Sequence, residues 1–348
     1  MSLFGDFFEK KKSESVVLID IGIGSVAGAC ATVTAGEPPV LLYTRRLPIE
    51  LHADEVPEKA MLRALKVLGD ALVREGAPAF MRATGCGTAD TALVSIDAPW
   101  QETSVRTEHF EQDEPFLFTK SMVTEALEKA SSAPEGKVLV DESIIGTILN
   151  GYETRDPYGK QTTRAAVIIL TSLIDEHIAE RIHETLRSLY HVASTITIAG
   201  SSLRYQAMRI AFPHERDALI LDATDQSASL ALVRKGLLVN VIEIQTRTRD
   251  TVTWAESVTS TLRDLSKHFP LPRTIFLLAR EPDITSLKEV LDGADLAKLW
   301  LSDNPPKIVS VLGSHLTGLV RQATTASPDI SLLLMALFCQ HRAPAEKM

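Results

Sequence analysis

V-V-L-I-D-I-G-I-G-S-V-A-G-A runs from Val16 to Ala29, and A-L-I-L-D-A-T-D-Q-S-A-S-L-A runs from Ala218 to Ala231. Asp20 to Asp222 and Ser25 to Ser227 share one offset of 202 positions, so acids and serines align without a gap. Each stretch reads as an apolar strand ending in Asp, a tight turn and a second apolar strand. In the first copy Gly22 and Gly24 let backbone N–H groups face an anion, which makes the turn a candidate phosphate cradle. Two distant copies imply a duplicated architecture with a cleft between its halves. The second copy has lost its glycines, which calls a nucleotide in that cleft into question.

The 348 residues can bury two ordinary cores, and the 45% apolar and 23% charged content is that of a folded soluble domain. A net charge of -9 argues against nucleic acid, whose binders carry excess Lys and Arg. Cys30, Cys86 and Cys339 have no metal-ligand spacing and imply a reducing compartment without disulfides. No window reaches the roughly 18 consecutive apolar residues of a membrane helix. The expected location is therefore cytoplasmic. The opening M-S-L-F-G-D-F-F-E-K-K-K could rest Phe4, Phe7 and Phe8 on the inner face of a membrane, with Lys10, Lys11 and Lys12 on headgroups. The plainer reading of residues 1–14 is a frayed, flexible tail.

Along the chain, residues 15–91 read as a first lobe: three strands, then a helix opened by Pro57. The small residues Thr84 to Thr91 look like a boundary. Residues 92–172 read as strand, helix, strand, strand, with the turn D-P-Y-G at Asp156 to Gly159. Residues 173–217 complete the first lobe and 218–330 form the second. A helix from Ser331 to Phe338, within a C-terminal segment 331–348, is apolar on every side and so belongs in a core. Ser201 is a candidate helix cap, and Trp100 after Pro99 is either an exposed contact or a packed ring. His177, His183 and His191 lack the three- or four-residue spacing of helical metal ligands.

The repeated strand-turn-strand units resemble the actin-like ATPase superfamily. The inserted unit with I-L-N-G-Y-E-T-x-D-P-x-G, Ile148 to Gly159, narrows the likeness to the branch of cell-division protein FtsA and type IV pilus assembly protein PilM. The resemblance implies a two-lobed α/β (ribonuclease H-like) fold with an SHS2 (1C) module on the first lobe. It also implies ATP held on two phosphate loops, here Asp20, Gly22, Gly24 and Ser25 with Asp222 and Ser227. Asp20 and Asp222 would hold Mg²⁺, which takes one or two carboxylates plus phosphates and waters.

The sequence departs from that pattern in three places. Thr224, Asp225 and Gln226 stand where the family has glycines, and the Asp225 charge would face a triphosphate. One like-charge contact at 4 Å costs on the order of 4 kcal/mol at an effective dielectric of 20. The adenosine motif, a strand followed by two glycines, is here Ile275 to Leu278 followed by Ala279-Arg280-Glu281-Pro282. The segment from Ile244 to Thr274 is too short for the family's 2B subdomain, so Arg247 to Asp250 reads as a splice. The favoured expectation is a scaffold without catalysis and without a cofactor. It would bind the cytoplasmic tail of a membrane pilus-assembly or cell-division protein by strand addition or groove docking. An active Mg-ATPase and a self-associating filament former are the alternatives, and no residue stands out as a catalytic base.

Overall fold

A computed structural model describes residues 13–128, 133–154, 156–190, 192, 194–244, 250–300 and 306–342. Residues 1–12 with their Phe and Lys positions, the helix end at 129–130, His191 and Arg247 to Arg249 lie outside the described residues.

The first lobe starts with β1 (Ser13–Ile21), β2 (Ser25–Thr34) and β3 (Val40–Pro48). It continues through α1 (Pro57–Ala71), a π turn at Leu72–Gly76, α2 (Ala77–Thr84) and β4 (Thr91–Ile96). Val16 to Ile21 are buried without interruption, as expected of a strand covered on both faces. The inserted module holds β5 (Gln101–Leu117), α3 (Lys120–Glu128), β6 (Lys137–Leu149), β7 (Tyr152–Glu153) and β8 (Gln161–Asp175). The chain then returns through α4 (Glu176–Leu189), β9 (Ser194–Ala199) and α5 (Gly200–Ala211). The second lobe is β10 (Ala218–Ala223), β11 (Ala228–Arg234), β12 (Leu237–Ile244), α6 (Thr251–Ser266), β13 (Thr274–Ala279), α7 (Ile284–Gly293) and β14 (Lys307–Ser310). The two-residue β15 (Arg321–Gln322) and α8 (Ile330–His341) follow, and both return to the first lobe.

The first sheet is ordered β15-β3-β2-β1-β4-β9 and the second β12-β11-β10-β13-β14. Apart from β15 the two orders are the same: three antiparallel strands, then two parallel ones. Asp20 pairs with Ala27 across its hairpin and Asp222 with Ser229, seven residues on in each case. The duplication read from the two stretches is therefore a duplication of topology and register.

One boundary moves. The expected module 92–172 includes Ala92 to Ile96, but β4 pairs in parallel with β1 and β9 in the first lobe's sheet. All six residues of β4 are buried, so it is a central parallel strand rather than half of an exposed hairpin. The module's sheet, β5-β8-β6-β7, begins at Gln101 and ends at Asp175.

Two helices run between the lobes. α8 is buried all round, as its composition requires, and packs on α5. The N-terminus of α5 lacks a cap from its own chain neighbours, contrary to the role expected of Ser201. Asp141 of the module instead accepts from Ala199 N at 3.4 Å, and a carboxylate suits that helix end. The module also reaches the second lobe. Leu237 fills the space beside Gly146, and Glu153 pairs with Arg209 of α5 at 3.2 Å and with Arg216.

Candidate functional site

The end of β1 delivers Asp20 and the glycine turn to the interlobe cleft. Gly22 N donates to Ser25 O at 3.0 Å, which closes the turn, and Trp100 Nε1 donates to Gly22 O at 2.7 Å. Trp100 is buried, which decides between its two readings: it is a packed ring that steadies the loop. The next amides, Gly24 N and Ser25 N, face the second lobe in the manner of an anion site.

The group they face is a side chain of this protein. Asp225 Oδ2, from the turn between β10 and β11, accepts from Gly24 N at 3.0 Å and from Ser25 N at 3.2 Å. Its other oxygen accepts from Gln226 N at 2.8 Å. A Cβ on Gly22 would collide with the Asp225 carboxylate, and one on Gly24 would lie 2.5 Å from Gln226 Cδ and 2.7 Å from Asp225 Oδ1. The glycines of the first loop thus admit the side chains that replaced the glycines of the second.

Arg204, on α5, lies among the acids. Its Nη1 and Nη2 donate to Asp97 at 2.9 and 2.8 Å, Nη2 lies 3.5 Å from Asp20 Oδ1, and Nε pairs with Asp222 Oδ2. Only 3% of its side chain is exposed. The other Asp222 oxygen accepts from Thr224 N at 3.0 Å and Thr224 Oγ1 at 2.7 Å, so both Asp222 oxygens are engaged. A second cation, Arg46 on β3, donates to Ser25 Oγ at 2.7 Å and to Asp329, the N-cap of α8, at 2.7 and 3.0 Å. It also reaches Asp20 Oδ2 at 3.4 Å.

Four acids, Asp20, Asp97, Asp222 and Asp329, therefore share two guanidinium groups, with Asp225 and Glu243 buried beside them. Burial opposes the charge on Arg204, but Asp222, Asp97 and Asp20 hold it firmly protonated. Burial pushes the Asp97 carboxyl well above its usual range; Arg204 pulls against this while Asp20 and Asp222 add to it. Glu243, on β12, is pushed by burial and then by Asp222 up to about 7. Asp225 is raised by burial and restrained by the amides it accepts from. Burial works against the Asp329 carboxylate as well, but Arg46 keeps it below the ordinary range.

Of the residues expected in phosphate and metal loops, Asp20, Gly22, Gly24, Ser25 and Asp222 meet in this one cluster. Ser227 is half-buried one residue before β11. Sequence reasoning missed Arg204, Asp97, Arg46 and Asp329. Arg204 sits in S-S-L-R-Y-Q-A-M, where helical spacing alone cannot separate a buried Arg from a solvated one.

A Mg-triphosphate does not fit these residues as they stand. The amides that would cradle a phosphate are bonded to Asp225, and the acids that would face the metal are bonded to Arg204. Among the described residues no group of three or more His, Cys, Asp and Glu could hold a metal ion. The cleft beside the cluster, about 620 Å³, is bordered by Arg46, Asp225, Trp254 and Arg280. Arg280, expected as bulk at the adenosine passage, does border it and pairs with Asp283 at 2.8 Å. Between Ile244 and Thr274 the described residues hold one helix, α6.

No protein-family profile matches the chain, and no curated protein matches it in sequence. Solved structures do match, and what the match shows is the fold: this chain has the actin-like ATPase fold. The PilM-PilN type IV pilus biogenesis complex superposes with TM-score 0.59 at 14% identity, over 94% of this chain and 99% of that one. A Bacteroides thetaiotaomicron protein with actin-like ATPase fold and unknown function gives 0.46 at 9% identity, over 95% and 98%. The cytoplasmic domain of EpsL, an inner membrane component of the Vibrio cholerae type II secretion system, gives 0.43 at 7% identity, over 94% and 96%.

Proposed function

We propose that this protein is a non-catalytic actin-like scaffold that docks a short segment of a membrane-anchored assembly partner. The observation that carries the reading is the pair of hydrogen bonds from Gly24 N and Ser25 N to Asp225. Phosphoryl transfer needs those donors aimed at the phosphate, where they stabilise developing charge, and here a fixed carboxylate competes for them. The likeness to a pilus biogenesis complex supports a partner of the same kind, pilus assembly or another envelope machine. No helix of the described residues is long and apolar enough to cross a membrane.

A groove of about 530 Å³ beside the first loop supplies a surface. Ile23, Ile49, Trp100 and Ile178 border it, and Leu51 and Val56 stand on its rim at 61% and 52% exposure. Exposed apolar side chains around a concave apolar floor suit a short apolar segment in extended or helical form. The test is fluorescence polarisation of the full chain against cytoplasmic tail peptides of membrane-assembly proteins from the same organism. Saturable binding, weakened at least about tenfold by Leu51→Asp, is the expected result. Failure of every tail to bind would remove the scaffold reading, and binding indifferent to Leu51→Asp would move the surface elsewhere.

A further inference from the structure

We propose that Arg204 and Asp225 are permanent internal ligands of the cleft, Arg204 in place of a divalent cation and Asp225 in place of a phosphate. Together they hold the two lobes closed without a nucleotide. The proposal stands apart from partner docking and concerns only the state of the chain itself.

Three observations converge on it. First, the contacts cross between the lobes. Asp225 belongs to the β10–β11 turn of the second lobe, and its two amide donors belong to the β1–β2 turn of the first. Arg204, on an interlobe helix, joins Asp20 and Asp97 of the first lobe to Asp222 of the second. This is the bridging task a cation performs between two facing carboxylates. Second, the surrounding backbone is shaped to these side chains. Gly22 and Gly24 leave room for Asp225 and Gln226, and a Cβ at Gly200 would strike both Asp97 and Arg204. Third, the closed arrangement is secured away from the cleft. Tyr205, next to Arg204, donates from its hydroxyl to Gly236 O at 2.8 Å in the second lobe. Leu237 of the second lobe fits against Gly146 of the module across the same boundary.

In a nucleotide-operated protein of this shape, closure follows ligand binding, because only a ligand with different affinity for two states can shift them. Here the ligands are covalently part of the chain, so closure is set when the chain folds. Lobe closure becomes a fixed property of the scaffold and presents its outer surfaces in one relative position.

Hydrogen exchange of the full chain, resolved to the Gly22–Ser25 loop, tests this with and without MgATP and in Asp225→Ala. The wild-type amides of Gly24 and Ser25 should be protected, and MgATP should leave them unchanged. Asp225→Ala should speed their exchange at least about tenfold while β1 and β10 keep their protection. Unprotected wild-type amides, protection that appears only with MgATP, or exchange unaltered by Asp225→Ala would each overturn the proposal. If Asp225→Ala loses protection throughout, the two wild-type measurements decide. No partner takes part, so failure here is distinct from failure of the docking experiment.

Discussion

Arg204→Met removes the cation at the centre of the cluster while preserving most of its apolar volume. Asp97 then loses both of its guanidinium bonds and Asp222 loses its partner on Oδ2, while Asp20 keeps only Arg46 at 3.4 Å. Removing one member of a buried ion pair costs about 3–5 kcal/mol, because the acids left behind are neither solvated nor neutralised. The loss should sit at the upper end of that range, since one cation serves three carboxylates. It should shrink with acidification, because protonation relieves Asp97, whose carboxyl burial already raises, of its unbalanced charge. Asn at both positions, in Arg204→Met/Asp97→Asn/Asp222→Asn, removes the uncompensated charge and should recover more than half of the lost stability. Urea unfolding at pH 5.5 and 7.5 measures this, with equal m-values confirming that the same transition is compared. A single variant within about 1 kcal/mol of wild type at pH 7.5, or a triple variant no better than the single, would refute the assignment of Arg204 as the required countercharge.

Glu243 adds a pH dependence of its own. Its folded carboxyl is raised from 4.5 to about 7, so between those values the folded chain holds a proton that the unfolded chain releases. Its contribution is therefore full below about 4.5 and is lost as pH rises through 7, by about 3 kcal/mol in all. Glu243→Gln should flatten that decline and exceed wild-type stability at pH 8, as followed by chemical denaturation; an unchanged pH profile would contradict it. Gly22→Ala places a methyl group against the Asp225 carboxylate and should destabilise by about 1–3 kcal/mol. Asp225→Ala should rescue most of that loss; a Gly22→Ala chain as stable as wild type would mean the carboxylate lies elsewhere.

The fold was legible because its signal is local and repeated. Val16 to Asp20 and Ala218 to Asp222 are short buried strands with an acid at one end, and their register follows from the pattern. The misplaced boundary at β4 has a physical reason. Thr91 to Ile96 is buried on both faces, with Thr91 and Ser95 on one of them, and a strand that short does not say which sheet it joins. The acids and the glycine loop of the site were legible too, but the charge that joins them was not. Arg204, Arg46 and Asp97 enter from α5, β3 and the end of β4, and their meeting is a product of tertiary structure. Asp225 stood out in the sequence as a charge that would repel a triphosphate. The structure turns that charge inward onto Gly24 and Ser25, so repulsion by a neighbour becomes competition for the same donors.

Titration of the full chain with MgATP by isothermal calorimetry, paired with thermal unfolding, tests the filled cleft most directly. A ligand at about 100 times its Kd stabilises a folded protein by about 2.7 kcal/mol, a shift that thermal unfolding resolves readily. With Arg204 and Asp225 in place, the account predicts no saturable heat and no shift at millimolar MgATP. Saturable, Mg²⁺-dependent binding that Asp20→Ala abolishes would contradict it.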